Sequence, residues 1–119
     1  MDGTALLQRF GECLARSDAA GAAALFTPDA TYDEPPGHTF AGREALHAFI
    51  ADFAAAHTDV SFTVVHTLAS SDGALVAAEW RWTYTRAADG QRRAFEGMSF
   101  VELRDGLIAR WRGFSARVE

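Results

Sequence analysis

Five side chains stand out as candidates for proton chemistry: Asp33, Glu34, His38, His66 and Ser99. The densest grouping is Tyr32-Asp33-Glu34-Pro35-Pro36-Gly37-His38, two adjacent carboxylates in a proline-stiffened turn with a histidine just beyond. Such a turn can aim an acid at a cavity. A carboxylate held in an apolar pocket has its pKa raised and can then shuttle a proton near neutral pH. The opposing reading is an exposed turn carboxylate that caps the backbone after it. His38 stands between a proton donor to such a site and an ordinary solvent-exposed loop histidine. His66 falls on the apolar face of a predicted strand, the place of a hydrogen-bonded core histidine. No His, Asp or Glu cluster has metal-ligand spacing, so neither a metal nor another cofactor is expected. No Gly-x-Ser-x-Gly elbow or phosphate-cradling loop can be read either.

The elements that must position these residues follow from apolar periodicity. Leu6, Leu7, Phe10, Cys13 and Leu14 recur at helical spacing, so a helix is predicted from about Thr4 to Arg16, with Thr4 or Asp2 as its N-cap. A short helix follows Asp18 and ends by Phe26, because Pro28 disfavours helical geometry at Thr27. A brief strand is expected over Thr31 to Asp33, broken by Pro35, Pro36 and Gly37. A third helix is expected over about Arg43 to Ala56, with Leu46, Phe49, Ile50 and Phe53 on its apolar side and His57 at its C-terminal dipole. Beyond it the period changes to two. Val60, Phe62, Val64, His66 and Leu68 alternate with Ser61, Thr63, Val65 and Thr67, and Asp72-Gly73, Asp89-Gly90 and Asp105-Gly106 punctuate three further strands: about Leu75 to Arg86, Arg92 to Leu103, and Leu107 to Phe114. Helices first and a strand meander second give an α+β class, with the helices on one face of a curved antiparallel sheet.

Strand parity then predicts a concave face. Ala78, Trp80, Trp82 and Tyr84 share one side of their strand; Phe95, Gly97, Ser99, Val101 and Leu103 share one side of the next; and Ala109, Trp111 and Gly113 share one side of the last. Aromatic walls beside glycine gaps imply an apolar pocket, against the plainer alternative that the aromatics fill a core. Glu79, Arg81, Glu96 and Glu102 fall on the opposite face as cross-strand charge pairs.

Two stretches resemble a known family. Phe26-Thr27-Pro28-Asp29-Ala30-Thr31-Tyr32, followed by Gly42 and its helix, is similar to the start of the nuclear-transport-factor-two-like superfamily, which includes ketosteroid isomerases and SnoaL-like polyketide cyclases. Val101-Glu102-Leu103-Arg104-Asp105-Gly106-Leu107-Ile108-Ala109-Arg110-Trp111-Arg112 resembles the last hairpin of SnoaL-like domains. The resemblance implies one cone-shaped, cystatin-like α+β domain spanning residues 1–119. It puts Glu34-Pro35-Pro36-Gly37 where ketosteroid isomerases carry the Asp-Pro-x-Gly of their general base, which makes Glu34 the implied base with His38 or Ser99 as donor. It also places Phe10 where those isomerases have an oxyanion-hole tyrosine, and Ser99 where they have a protonated aspartate. The terminal Trp111-Arg112-Gly113-Phe114-Ser115-Ala116 lacks both acids of the Trp-Arg-Asp-Tyr-x-Asp pattern of SnoaL-like cyclases and limonene epoxide hydrolases. Losing one oxyanion donor costs on the order of 10²–10³ in rate, so steroid isomerisation, epoxide hydrolysis and SnoaL-type cyclisation are not expected.

Composition bounds the rest. A chain of 119 residues, 49% hydrophobic and 23% charged, is long enough for one core and ordinary for a folded domain. A net charge of −5, with Arg81, Arg86, Arg92 and Arg93 diluted by Glu79, Asp89 and Glu96, argues against nucleic acid as a partner. Cys13 is alone, which excludes an intrachain disulfide. No basic-then-apolar leader and no apolar run near the ~18 residues of a membrane span can be found, so a cytoplasmic protein without a membrane partner is expected. The expected function is a pocket for a small apolar molecule, lined by Phe10, Tyr32, Trp80, Trp82, Gly97, Trp111 and Gly113. Its chemistry would be cofactor-free proton transfer by Glu34, of isomerase or lyase type, on a carbonyl or polyketide-like substrate. The alternatives are a non-catalytic binding module enclosing an apolar ligand, and an association domain. A homodimer through the outer sheet face, where Met98 and Phe100 fall, is expected in either case.

Overall fold

The computed structural model describes residues 1–35 and 37–118. Helix α1 (Gly3–Ala15) starts where Asp2 Oδ1 accepts the Ala5 amide at 2.8 Å, which satisfies a donor that the first turn leaves without a partner. The 3–4 spacing of Leu6, Leu7, Phe10, Cys13 and Leu14 buries all five. Asp18 caps α2 (Ala19–Ala23) in the same way. Then come β1 (Phe26–Glu34), β2 (His38–Ala41), α3 (Arg43–Ala56), β3 (His57–Ala69), β4 (Leu75–Arg86), β5 (Arg92–Arg104) and β6 (Leu107–Arg117).

The six strands form one curved sheet in the order β2-β1-β6-β5-β4-β3. Its helices lie toward the N-terminal side, with α1 against β3 and α2 between α1 and α3. The expected all-antiparallel sheet needs correction. β1 and β6 run parallel, with Tyr32 opposite Trp111 and Asp33 opposite Arg112, so the sheet is mixed. A parallel pair requires a long crossover, and here everything from β2 to β5 supplies it. The sheet stays open, with β2 and β3 as its edges.

Two strands depart from the sequence reading. β1 begins at Phe26 rather than Thr31, because Pro28 sits in an irregular stretch of the β1–β6 register where no ladder bond is needed from it. β2 is a short edge strand with no apolar alternation to mark it, hydrogen-bonded to β1 with Glu34 opposite His38. Pro35 and Gly37 lie in their connection, and Pro36 lies outside the described residues.

His66 is also corrected. A bulge between Val64 and His66 shifts the register of β3 against β4, and an added residue reverses the alternation beyond it. His66 and Leu68 therefore turn outward, with Leu68 79% exposed. His66 Nδ1 meets Glu79 Oε1 at 2.9 Å on the surface, while Thr67 turns inward to bond Thr4 Oγ1 at 2.8 Å. At the other end of the sheet Asp105 (φ 54°) and Gly106 (φ 75°) make a two-residue turn between β5 and β6, the left-handed pair that a tight hairpin demands. No helix among the described residues is long and apolar enough to cross a membrane.

Candidate functional site

Strand geometry separates the two neighbouring carboxylates. Asp33 faces away from the helices, where it pairs with Arg112 and Oδ1 accepts the Thr39 hydroxyl at 3.0 Å. Glu34 follows Ala30 and Tyr32 onto the inner face and is 6% exposed, the only buried carboxylate among the described residues. Its Oε1 accepts two hydrogen bonds, from the Tyr32 hydroxyl at 2.8 Å and from Trp111 Nε1–H at 3.1 Å. Among the described residues Oε2 takes none. The parallel pairing of β1 with β6 brings the two donors together, and their rings stack at 5.4 Å and 20°.

Burial pushes the Glu34 carboxyl above its ordinary value of 4.5, while the Tyr32 and Trp111 hydrogen bonds and nearby His38 pull the other way. Desolvation wins because it acts on both oxygens, and the donors reach one. Burial also holds the Tyr32 phenol well above its ordinary value, reinforced by the negative charge and hydrogen bond of Glu34. Tyr32 therefore remains a donor at neutral pH.

In front of Glu34 lies an apolar cavity. It is lined by Phe10 and Leu14 of α1, Leu46, Phe49, Ile50 and Phe53 of α3, Phe62 of β3, and Trp80 and Trp82 of β4. It is narrow, with a volume of about 20 Å³. That admits about one water, so a larger ligand enters only as side chains rotate. Phe49 and Phe53, half-buried on α3, are placed to do so. A wider recess at the mouth shares Phe49, Phe53 and Trp82 and adds His38, Asp52, His57 and Tyr84.

Of the residues expected around a ligand, Phe10, Tyr32, Trp80 and Trp82 line this cavity together with Glu34. His38 stands exposed at the mouth, its ring 5.3 Å from that of Phe49. Ser99 does not reach the cavity: buried behind Trp80, its Oγ accepts Trp80 Nε1–H at 2.9 Å. Trp111, fully buried, stands behind the cavity wall, where it bonds Glu34 and packs against the rings of Tyr32 and Phe10.

The idea that glycines leave open volume is corrected. A Cβ on Gly97 would lie 2.3 Å from Trp80 Cζ2, and one on Gly113 2.3 Å from Ser99 Oγ. These glycines make room for an indole ring and a hydroxyl, and both spaces are filled. The part of the wall missing from the sequence reading is α3. Its i, i+3, i+4, i+7 face, Leu46, Phe49, Ile50 and Phe53, is written directly after the Glu34 turn, which was the available signal. Among the described residues no cluster of three His, Cys, Asp or Glu side chains could hold a metal ion.

A curved, open α+β sheet with helices over its inner face is the nuclear transport factor 2-like fold, with the ketosteroid isomerase-like arrangement seen in solved relatives. Within that superfamily the chain belongs to the SnoaL-like domain family, whose model matches residues 7–111. A candidate isomerase from Bacillus subtilis superposes with a TM-score of 0.84 at 24% identity, covering 95% of this chain and 85% of that one. A candidate polyketide cyclase from Xanthomonas campestris pv. campestris gives 0.81 at 24%, covering 93% and 87%. An LEH-like epoxide hydrolase from M. tuberculosis gives 0.80 at 18%, covering 94% and 80%. At these identities the likeness speaks to the fold. No match was found among curated proteins.

Proposed function

We propose that this protein is a cofactor-independent proton-transfer enzyme acting on a small, largely apolar carbonyl compound, with Glu34 as the base. The observation that carries the reading is one carboxyl group, anchored at Oε1 by Tyr32 and Trp111, with Oε2 unengaged by the described residues, in an otherwise hydrocarbon-walled cavity. In the proposed reaction Oε2 takes a proton from the carbon next to the carbonyl, the C–H electron pair moves toward the carbonyl oxygen, and the proton returns to the same or a conjugated carbon. The upward shift of the Glu34 pKa suits both halves, since raising a carboxylate's pKa toward the working pH makes it a better base without stopping it from giving the proton back. The solved relatives support an enzyme at the level of the family: those named above are an isomerase, a polyketide cyclase and an epoxide hydrolase in description.

The second reading, a binding module without catalysis, draws on the loss of donors. Phe10 brings no hydroxyl to the cavity and the Ser99 hydroxyl lies behind Trp80.

Deuterium exchange separates the two. In D2O the protein should accelerate loss of the methyl protons of acetophenone, and Glu34→Gln should lower that rate on the order of 10²-fold or more. Equal exchange in both proteins would end the enzyme reading. Acetophenone binding without exchange would leave the binding module.

A further inference from the structure

The three tryptophans of this protein differ in one respect. Trp80 gives its N–H to Ser99 and Trp111 gives its own to Glu34. Trp82 Nε1 is buried and has no hydrogen-bond partner, the single such side-chain nitrogen or oxygen among the described residues. A buried donor left unpaired is destabilising, and native proteins pair nearly all of theirs. Trp82 also lines both the inner cavity and the neighbouring recess.

The polar inventory of the cavity sharpens the point. Its wall is otherwise carbon, the Tyr32 hydroxyl is committed to Glu34, and the Trp80 N–H is committed to Ser99. Among the polar groups of the lining side chains, the Glu34 Oε2 and the buried Trp82 N–H are left without a partner. We infer that Trp82 Nε1–H is the donor that receives the acceptor atom of the ligand, so that the site selects apolar molecules carrying one carbonyl-type oxygen and turns that oxygen toward β4 while the neighbouring carbon faces Glu34. This rests on the functional reading above and adds to it the group that positions the carbonyl and takes up negative charge on its oxygen as the proton leaves. Such a site discriminates by omission: an analogue lacking the oxygen leaves the N–H unpaired and binds worse.

The test uses acetophenone and ethylbenzene, which share a ring and a two-carbon arm and differ in the oxygen. The expected result is a downfield shift of the Trp82 indole proton on titration with acetophenone and not with ethylbenzene, the indole signals being assigned by single Trp→Phe variants. Acetophenone should bind on the order of tenfold tighter than ethylbenzene, and Trp82→Phe should reduce that ratio to about one. The wild-type titration stands by itself should Trp82→Phe fold poorly. If the labelled Glu34 carboxyl carbon responds to acetophenone while the Trp82 indole proton does not move, or if the ratio survives in Trp82→Phe, the assignment of Trp82 is overturned and the Glu34 reading stands. If neither group responds at millimolar ligand, both are overturned.

Discussion

Removing the Tyr32 hydroxyl should raise the pKa of Glu34 further. Tyr32→Phe keeps the ring that stacks on Trp111 at 5.4 Å and deletes one of the two donors to Glu34 Oε1. A hydrogen bond to an ionised carboxylate is worth about 1.5–3 kcal/mol and one between neutral partners about 0.5–1.5. The difference, roughly 1–1.5 kcal/mol, is lost from the charged form alone and corresponds to about one pKa unit. The upward push from burial is left opposed by Trp111 and His38 only. Stability follows with a definite sign. A carboxyl whose folded pKa lies above its unfolded value binds more protons folded than unfolded, so the protein loses stability as pH rises from about 4.5, the ordinary value, through the raised folded value. Tyr32→Phe widens that window. Its destabilisation relative to wild type should therefore grow by about 1.4 kcal/mol between acid and mildly alkaline pH, which is about 5–6 °C in Tm for a domain of this size. Carbon-13 NMR of labelled glutamates reads the pKa and calorimetry at two pH values reads the stability. A Glu34 pKa that falls or stays put in Tyr32→Phe, or a melting difference independent of pH, would refute the argument that this hydroxyl stabilises a buried carboxylate.

Two further perturbations test the packing around the site and its outer face. Gly97→Ala should destabilise the fold by about 2 kcal/mol or more, because its Cβ would stand 2.3 Å from the Trp80 ring. A variant as stable as wild type in urea titration would show that Trp80 can move aside. On the outer face Met98, Phe100 and Phe114 are 64%, 58% and 57% exposed on adjoining strands, with Met98 opposite Phe114, and a two-fold homodimer through this surface is proposed. Sedimentation should give a dimer for wild type and a folded monomer for Phe100→Glu; a wild-type monomer at micromolar concentration would remove the proposal.

What could be read from the chain and what could not divide along physical lines. Helix limits were legible because each helix carries its own signals: Asp2 and Asp18 as caps, and the apolar faces of α1 and α3. The inward faces of β4 and β5 were legible from parity, which places Trp80, Trp82 and Ser99 on the buried side. Parity fails where the strand carries an extra residue, and nothing in the composition around Val64 and His66 announces the bulge that turns His66 outward. Partnership across the sheet was not legible either. That β6 returns parallel to β1 depends on where a long crossover lands, and it is this landing that sets Trp111 beside Tyr32 and both against Glu34.

The glycines show a related limit. Composition tells that a position is small, and only the structure tells whether a neighbour occupies the space. Gly97 and Gly113 suggested a void, and an indole and a hydroxyl fill it. The same packing explains why the cavity is narrow although its wall holds four phenylalanines and two tryptophans. Two of those rings, Phe49 and Phe53, sit half-buried on α3 at the boundary between cavity and mouth. Entry of a ligand of acetophenone size thus requires the rings of α3 to swing toward the recess that already borders them. The apolar area so exposed is recovered when the ligand takes their place, which makes affinity depend on how well the ligand replaces ring contacts more than on any volume present beforehand.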